Sequence, residues 1–85
     1  MHFMVETQFA APPTAEILAL VPAEQARGAE LDTEGVRRNL FLASDMSSVW
    51  QVFAVDSRAS LETLLASFPL HAYLTERVVE LGDAV

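Results

Sequence analysis

"SVWQVFAV", residues 48–55, carries bulky apolar side chains in both of the registers that a strand offers. Trp50, Val52 and Ala54 point one way; Val49, Phe53 and Val55 point the other, together with Gln51. An antiparallel sheet with one face in water alternates more cleanly than this. Both faces of the sheet must therefore be covered. Just upstream, "VRRNLFLA" (36–43) reads as a second strand. The polar "SDMSS" (44–48) between them is short enough for an antiparallel hairpin.

On the N-terminal side, "HFMVETQF" (2–9) alternates as a strand, with Phe3, Val5, Thr7 and Phe9 on the core face and His2, Met4, Glu6 and Gln8 on the other. Pro12 and Pro13 end it. Thr14 can cap a short helix over "AEILALV" (15–21), which Pro22 interrupts. A second helix starts with Pro22 at its first position and runs through "AEQARGAELDTE" (23–34) to a left-handed cap at Gly35. Ala23, Ala26 and Leu31 offer it a narrow buried stripe, and Gly28 either weakens it or permits close packing.

On the C-terminal side, "DSRASLETLLASF" (56–68) is a helix capped by Asp56 or Ser57, with Leu61, Leu64, Leu65 and Phe68 on one apolar face. Pro69 ends it. "TERVVEL" (75–81) is a last strand, and Gly82 to Val85 reads as a frayed tail. The order is strand, helix, strand, strand, helix, strand within one domain spanning residues 1–85. That is the α+β, ferredoxin-like βαββαβ arrangement, with helices on one face of an antiparallel sheet. A chain this small has helices for only one face. The two-sided strands thus predict a second sheet from a second subunit, giving a dimeric α+β barrel. The 52% hydrophobic content, large for 85 residues to bury alone, points the same way.

Twelve acids against five bases leave a net charge of -7, and no basic stripe invites nucleic acid or an anionic membrane. All five bases are arginine, so a Schiff-base lysine and a phosphate-binding P-loop are excluded from this sequence. Cysteine is absent, which excludes disulfides, thiolate metal sites and thiol nucleophiles. Two histidines on separate elements do not make a metal motif, and no cofactor motif is present. "MHFMVETQF" lacks the basic and apolar regions of a secretory signal, and no apolar run is long enough to span a bilayer. The expected compartment is the cytoplasm.

A spaced framework then resembles the muconolactone isomerases. Glu24 on the main helix is followed by Leu31 and Gly35, then by Arg38 and Leu40 on the second strand and Val52-Phe53 on the third. Ser57, Leu61 and Leu65 lie around the next helix. "PLHAY" (69–73) stands where the family has Pro-Leu-Phe-x-Tyr, and Val79 and Leu81 close the last strand. The resemblance runs without a gap from Glu24 to the end and more loosely over "MHFMV". It implies tight homodimers, often assembled into larger rings of dimers, and a pocket between helix and sheet for a small lactone or carboxylate. The implied reaction takes a proton from one carbon and returns it to another, moving a double bond. The family's first-strand lysine is here Glu6, its late second-strand arginine is Leu42, and its hairpin glycine and asparagine are Asp45 and Val49.

Glu6 and Glu24 are the candidate catalytic acids. A carboxylate in a partly dry pocket has its pKa raised, which suits proton shuttling. The plainer alternatives are an ion pair of Glu6 with Arg37 or Arg38, and a first-turn acid at position 24 that favours the helix dipole. Arg38 can hold a substrate carboxylate through a bidentate contact or serve as a structural partner of Glu24 or Glu6. Arg37 alternates to the opposite face and reads as a solvated or interface charge. Trp50 can line a pocket wall or fill an interface. Tyr73 reads as a packing residue with a bonded hydroxyl, and His71 as part of a scaffold turn rather than a titrating site. The competing functional reading is a non-catalytic oligomeric module, structural or ligand-binding, on the same barrel.

Overall fold

The computed structural model describes residues 1–82; the last three positions of the expected tail lie outside the described residues. The chain forms β1 (His2–Phe9), α1 (Ala15–Leu18), α2 (Val21–Thr33), β2 (Arg37–Leu42), β3 (Val49–Ala54), α3 (Arg58–Ala66) and β4 (Leu74–Leu81). A single 3-10 turn over His71–Tyr73 precedes β4. The strands pair antiparallel in the order β2-β3-β1-β4. This is the ferredoxin-like α+β arrangement that the element order predicts.

Local chemistry sets the helix ends. Thr14 accepts from the Ile17 N–H and Ser57 from the Ser60 N–H. Pro22 sits in the first turn of α2, which begins one residue earlier than expected. At its other end Gly35 takes φ 73°, with its N–H on the Asp32 carbonyl and the Val36 N–H on the Leu31 carbonyl. That pair of bonds is a Schellman cap, and Leu31 and Val36 both join the core beside it.

Phe3, Val5 and Phe53 from the sheet pack with Leu31, Leu61, Leu65 and Phe68. Phe53 and Phe68 meet edge to face with ring centroids 6.4 Å apart. The helices therefore cover the face of the sheet that carries Phe3, Val5 and Phe53. Along α2 the buried residues are Gly28 and Leu31, while Ala23 and Ala26 are exposed, so the expected alanine stripe is not the buried one. An interior glycine costs a helix about 1 kcal/mol relative to alanine, and Gly28 accepts that cost for a contact described below.

The opposite face, called the open face here, bears Met4, Glu6, Trp50, Val52, Phe41 and Val79 by register. Phe41 is 55% exposed and Val79 42%, although both lie on a sheet face. No helix among the described residues is long and apolar enough to cross a membrane.

The hairpin between β2 and β3 is closed by the Ala43 N–H on the Ser48 carbonyl. Met46 takes φ 64° inside it, a left-handed conformation rare for a side chain of that kind. The register of β2 also slips between Arg37 and Asn39, leaving Arg38 at a bulge. The slip has a large consequence for the site.

Candidate active site

A cavity of about 430 Å³ opens between α2 and the sheet. Its walls are mostly apolar, with Leu40 and Leu42 at β2 and Leu70 after α3. Glu24, Arg37 and Gln51 bring polar groups into it. Most ligand sites have this composition, an apolar pocket with a few placed polar groups.

Glu24 projects from the first turn of α2. Its Oε1 accepts the Leu70 N–H at 2.9 Å, a bond across 46 positions of sequence. Burial raises its pKa above the ordinary carboxylate range, against the opposing effects of the Leu70 bond and the nearby charges of His71 and Arg37. Oε2 has no protein partner among the described residues and is free for a ligand.

Arg37 is the guanidinium of this cavity, and Arg38 is exposed at the bulge. This corrects the sequence reading. Strict alternation back from Leu40 puts Arg38 on the helix face and Arg37 on the other. The extra residue at the bulge breaks that alternation and leaves Arg38 without a partner on β3. Arg37 is then opposite Phe53 in register, on the helix face, and its side chain is only 11% exposed. Nε and Nη2 donate to the two oxygens of Asp32 at 2.7 and 2.8 Å, and Nη1 donates to Gln51 Oε1 at 3.1 Å. The hydrogen bonds from Arg37 hold the Asp32 carboxyl below its usual range.

The other sequence candidates lie elsewhere. Glu6 and Trp50 are opposite each other on the open face, and Trp50 Nε1 donates to Glu6 Oε2 at 2.9 Å. The partner of Glu6 is therefore the indole, not Arg37 or Arg38; the residue across from it on β4 is Arg77. Tyr73 is 41% exposed in the turn before β4 rather than packed inside. His71 opens that turn, its Nδ1 buried and 3.4 Å from Glu76 Oε1 with no hydrogen bond made. It lines a separate, smaller cavity of about 270 Å³ with Arg58, Glu62 and Glu76. The structure thus brings Glu24 together with Arg37 and Gln51, and leaves Glu6, Trp50, Arg38 and Tyr73 outside that cavity. Arg37 and Gln51 gave no sequence signal of their own; only a predicted bulge in "VRRNL" would have found the first.

Fold and cavity together define a small ferredoxin-like α+β domain with one acid and one guanidinium in a helix-to-sheet pocket. The sequence matches muconolactone delta-isomerase over residues 1–83, and the chain belongs to that family. The fold is similar to the crystal structure of a muconolactone isomerase at TM-score 0.86 and 26% identity, covering 99% of this chain and 91% of that one. It is also similar to the 5-chloro-2-hydroxyhydroquinone dehydrochlorinase of Burkholderia phenoliruptrix AC1100, in complex with 2,5-dihydroxybenzoquinone, at TM-score 0.68 and 11% identity, covering 99% and 96%. The protein Rv0793 of Mycobacterium tuberculosis matches at TM-score 0.56 and 17% identity, covering 99% and 98%. These last two likenesses are of fold. Comparison with curated protein sequences gives no match.

Proposed function

We propose that this protein is an intramolecular isomerase that moves a double bond in a small lactone or carboxylate by proton transfer. The observation that carries the reading is Glu24. Its carboxylate is half-buried in the cavity, one oxygen is tied to the Leu70 N–H, the other is free, and burial raises its pKa. A fixed carboxylate of raised basicity can take a proton from a carbon beside a carbonyl and return it elsewhere on the same molecule. Membership of the muconolactone delta-isomerase family supports this class of reaction.

The test is deuterium exchange into muconolactone in heavy water, followed by NMR. Wild type is expected to exchange a carbon-bound proton. Glu24→Gln keeps an oxygen for the Leu70 N–H, so its fold should be preserved, while exchange falls by about 10²–10⁴-fold. Undiminished exchange in that variant would remove Glu24 from the chemistry.

We also infer that a second copy of the chain covers the open face. Exposed Phe41 and Val79, beside Met4, Trp50 and Val52, make that face too apolar for a lone domain. This same feature favours the competing reading, an oligomeric module without chemistry. A stable dimer that binds and exchanges no lactone would establish that alternative.

A further inference from the structure

Gly28 lies inside α2 in ordinary helical backbone, where glycine weakens a helix and no left-handed turn requires it. Arg37 supplies the reason. A Cβ on Gly28 would stand 2.6 Å from Arg37 Nη1 and 2.8 Å from both Cζ and Nη2. The guanidinium thus lies against the bare backbone of the helix, closer than any side chain would allow. Glu24, Gly28 and Asp32 follow at intervals of four residues, so they share one face of α2. Arg37 is laid across the gap in the middle of that face.

The hydrogen-bond inventory of this arrangement is incomplete in a specific way. A guanidinium carries five N–H bonds. Three of them go to Asp32 and Gln51. One N–H remains on each terminal nitrogen, a pair of donors on a group that borders the cavity. Arginine only donates, so Gln51 must present its oxygen to Arg37, which leaves its NH₂ group free to donate as well. Gln51 is 7% exposed and lines the same cavity. Asp32 offsets part of the guanidinium charge, but it takes only Nε and one N–H of Nη2, so a donor is left on each terminal nitrogen.

We propose that Arg37 and Gln51 form a carboxylate-binding subsite of the cavity, and that Gly28 and Asp32 are positioning residues that hold the guanidinium in place. The ligand class is a small carboxylic acid whose carboxylate rests on Arg37 and whose acidic C–H faces Glu24. The subsite deepens the reading of Glu24 as the proton-transferring group and rests on it for the second half of that statement. It distinguishes an acid from its neutral ester, since the ester cannot accept two charge-assisted bonds.

Calorimetric titration with muconolactone and with its methyl ester tests the proposal. Wild type should bind the acid at least about tenfold more tightly than the ester. Gly28→Ala favours the helix but drives a methyl group into the guanidinium. It should keep or raise the melting temperature and erase the preference for the acid. Arg37→Gln should erase the same preference. Equal affinity for acid and ester in wild type, no binding of the acid, or an undiminished preference in both variants would overturn the subsite. The two readings fail separately. If the preference depends on Arg37 but Glu24→Gln exchanges at the wild-type rate, the subsite stands and the proton-transfer role falls. If exchange needs Glu24 while the preference survives without Arg37, the outcome is the reverse.

Discussion

Glu24 and Glu6 are both half-buried acids beside apolar side chains, yet they stand on opposite sides of one sheet. Glu24 is held by a backbone N–H and lines the cavity. Glu6 is bound by the Trp50 indole on a face that no helix among the described residues covers. The helix side encloses its polar groups with the chain's own elements: Arg37 alone makes three bonds there. The open side has the apolar residues of an interior without the cover. One face carries a cavity with polar groups, and the other presents exposed apolar side chains. That contrast would not follow from residue type, since each face offers an acid, an arginine and aromatic or aliphatic neighbours.

The largest effect that can break this contrast is on stability. Phe53 is fully buried on the helix side, while Phe41 is 55% exposed on the open side. Phe53→Ala should cost about 3–5 kcal/mol in urea unfolding at any protein concentration, a large share of an ordinary domain stability of about 5–15 kcal/mol. Phe41→Asp should leave each subunit folded and shift sedimentation from dimer to monomer at micromolar concentration. A Phe41→Asp variant that keeps the wild-type assembly would show that the open face is not the interface.

A smaller effect sharpens the contrast in chemistry. Glu6→Gln keeps an oxygen for the Trp50 N–H, and the site proposed here lies across the sheet from it. Exchange of muconolactone should therefore change less than about tenfold, well short of the loss expected for a general acid–base group. A loss as deep as that of Glu24→Gln would move the reaction to the open face. It would also require the second copy to complete the site there.

The fold was legible because its signals are local and periodic. The double apolar register of residues 49–55, the caps at Thr14, Ser57 and Gly35, and the leucine spacing of α3 each specify an element without knowledge of the others. The site was legible only in Glu24, and then only as a position. What makes Glu24 interesting is a bond to Leu70, 46 residues away, which no spacing rule encodes. Arg37 was hidden by a different cause. Period-two alternation carries no mark of an inserted residue, so it could not show that the bulge at Arg38 turns Arg37 to the helix face. Gly28 was visible as an anomaly, but its explanation lay in the same guanidinium.

The finest comparison lies within the site, between two acids on one face of α2. Burial raises the pKa of Glu24, and Arg37 lowers that of Asp32. For Glu24 the folded state binds its proton more tightly than the unfolded chain does. Stability is therefore lost as pH rises from the unfolded value, about 4.3 for glutamate, through the higher folded value. Glu24→Gln removes that loss, so its melting temperature should gain on wild type as pH climbs through this window. For Asp32 the unfolded chain binds the proton more tightly. Its contribution is present above the unfolded value, about 3.9 for aspartate, and disappears as pH falls through the lower folded value. Asp32→Asn should therefore destabilise at neutral pH and match wild type in acid. Because Asp32 is half-exposed, the effect should be about 0.2–1 kcal/mol, as for solvent-facing pairs. Melting curves of the two variants between pH 3 and 7 should thus diverge from wild type in opposite directions. Parallel curves would mean that the cavity does not shield Glu24 from water, and the enclosed character of the helix side would be lost with it.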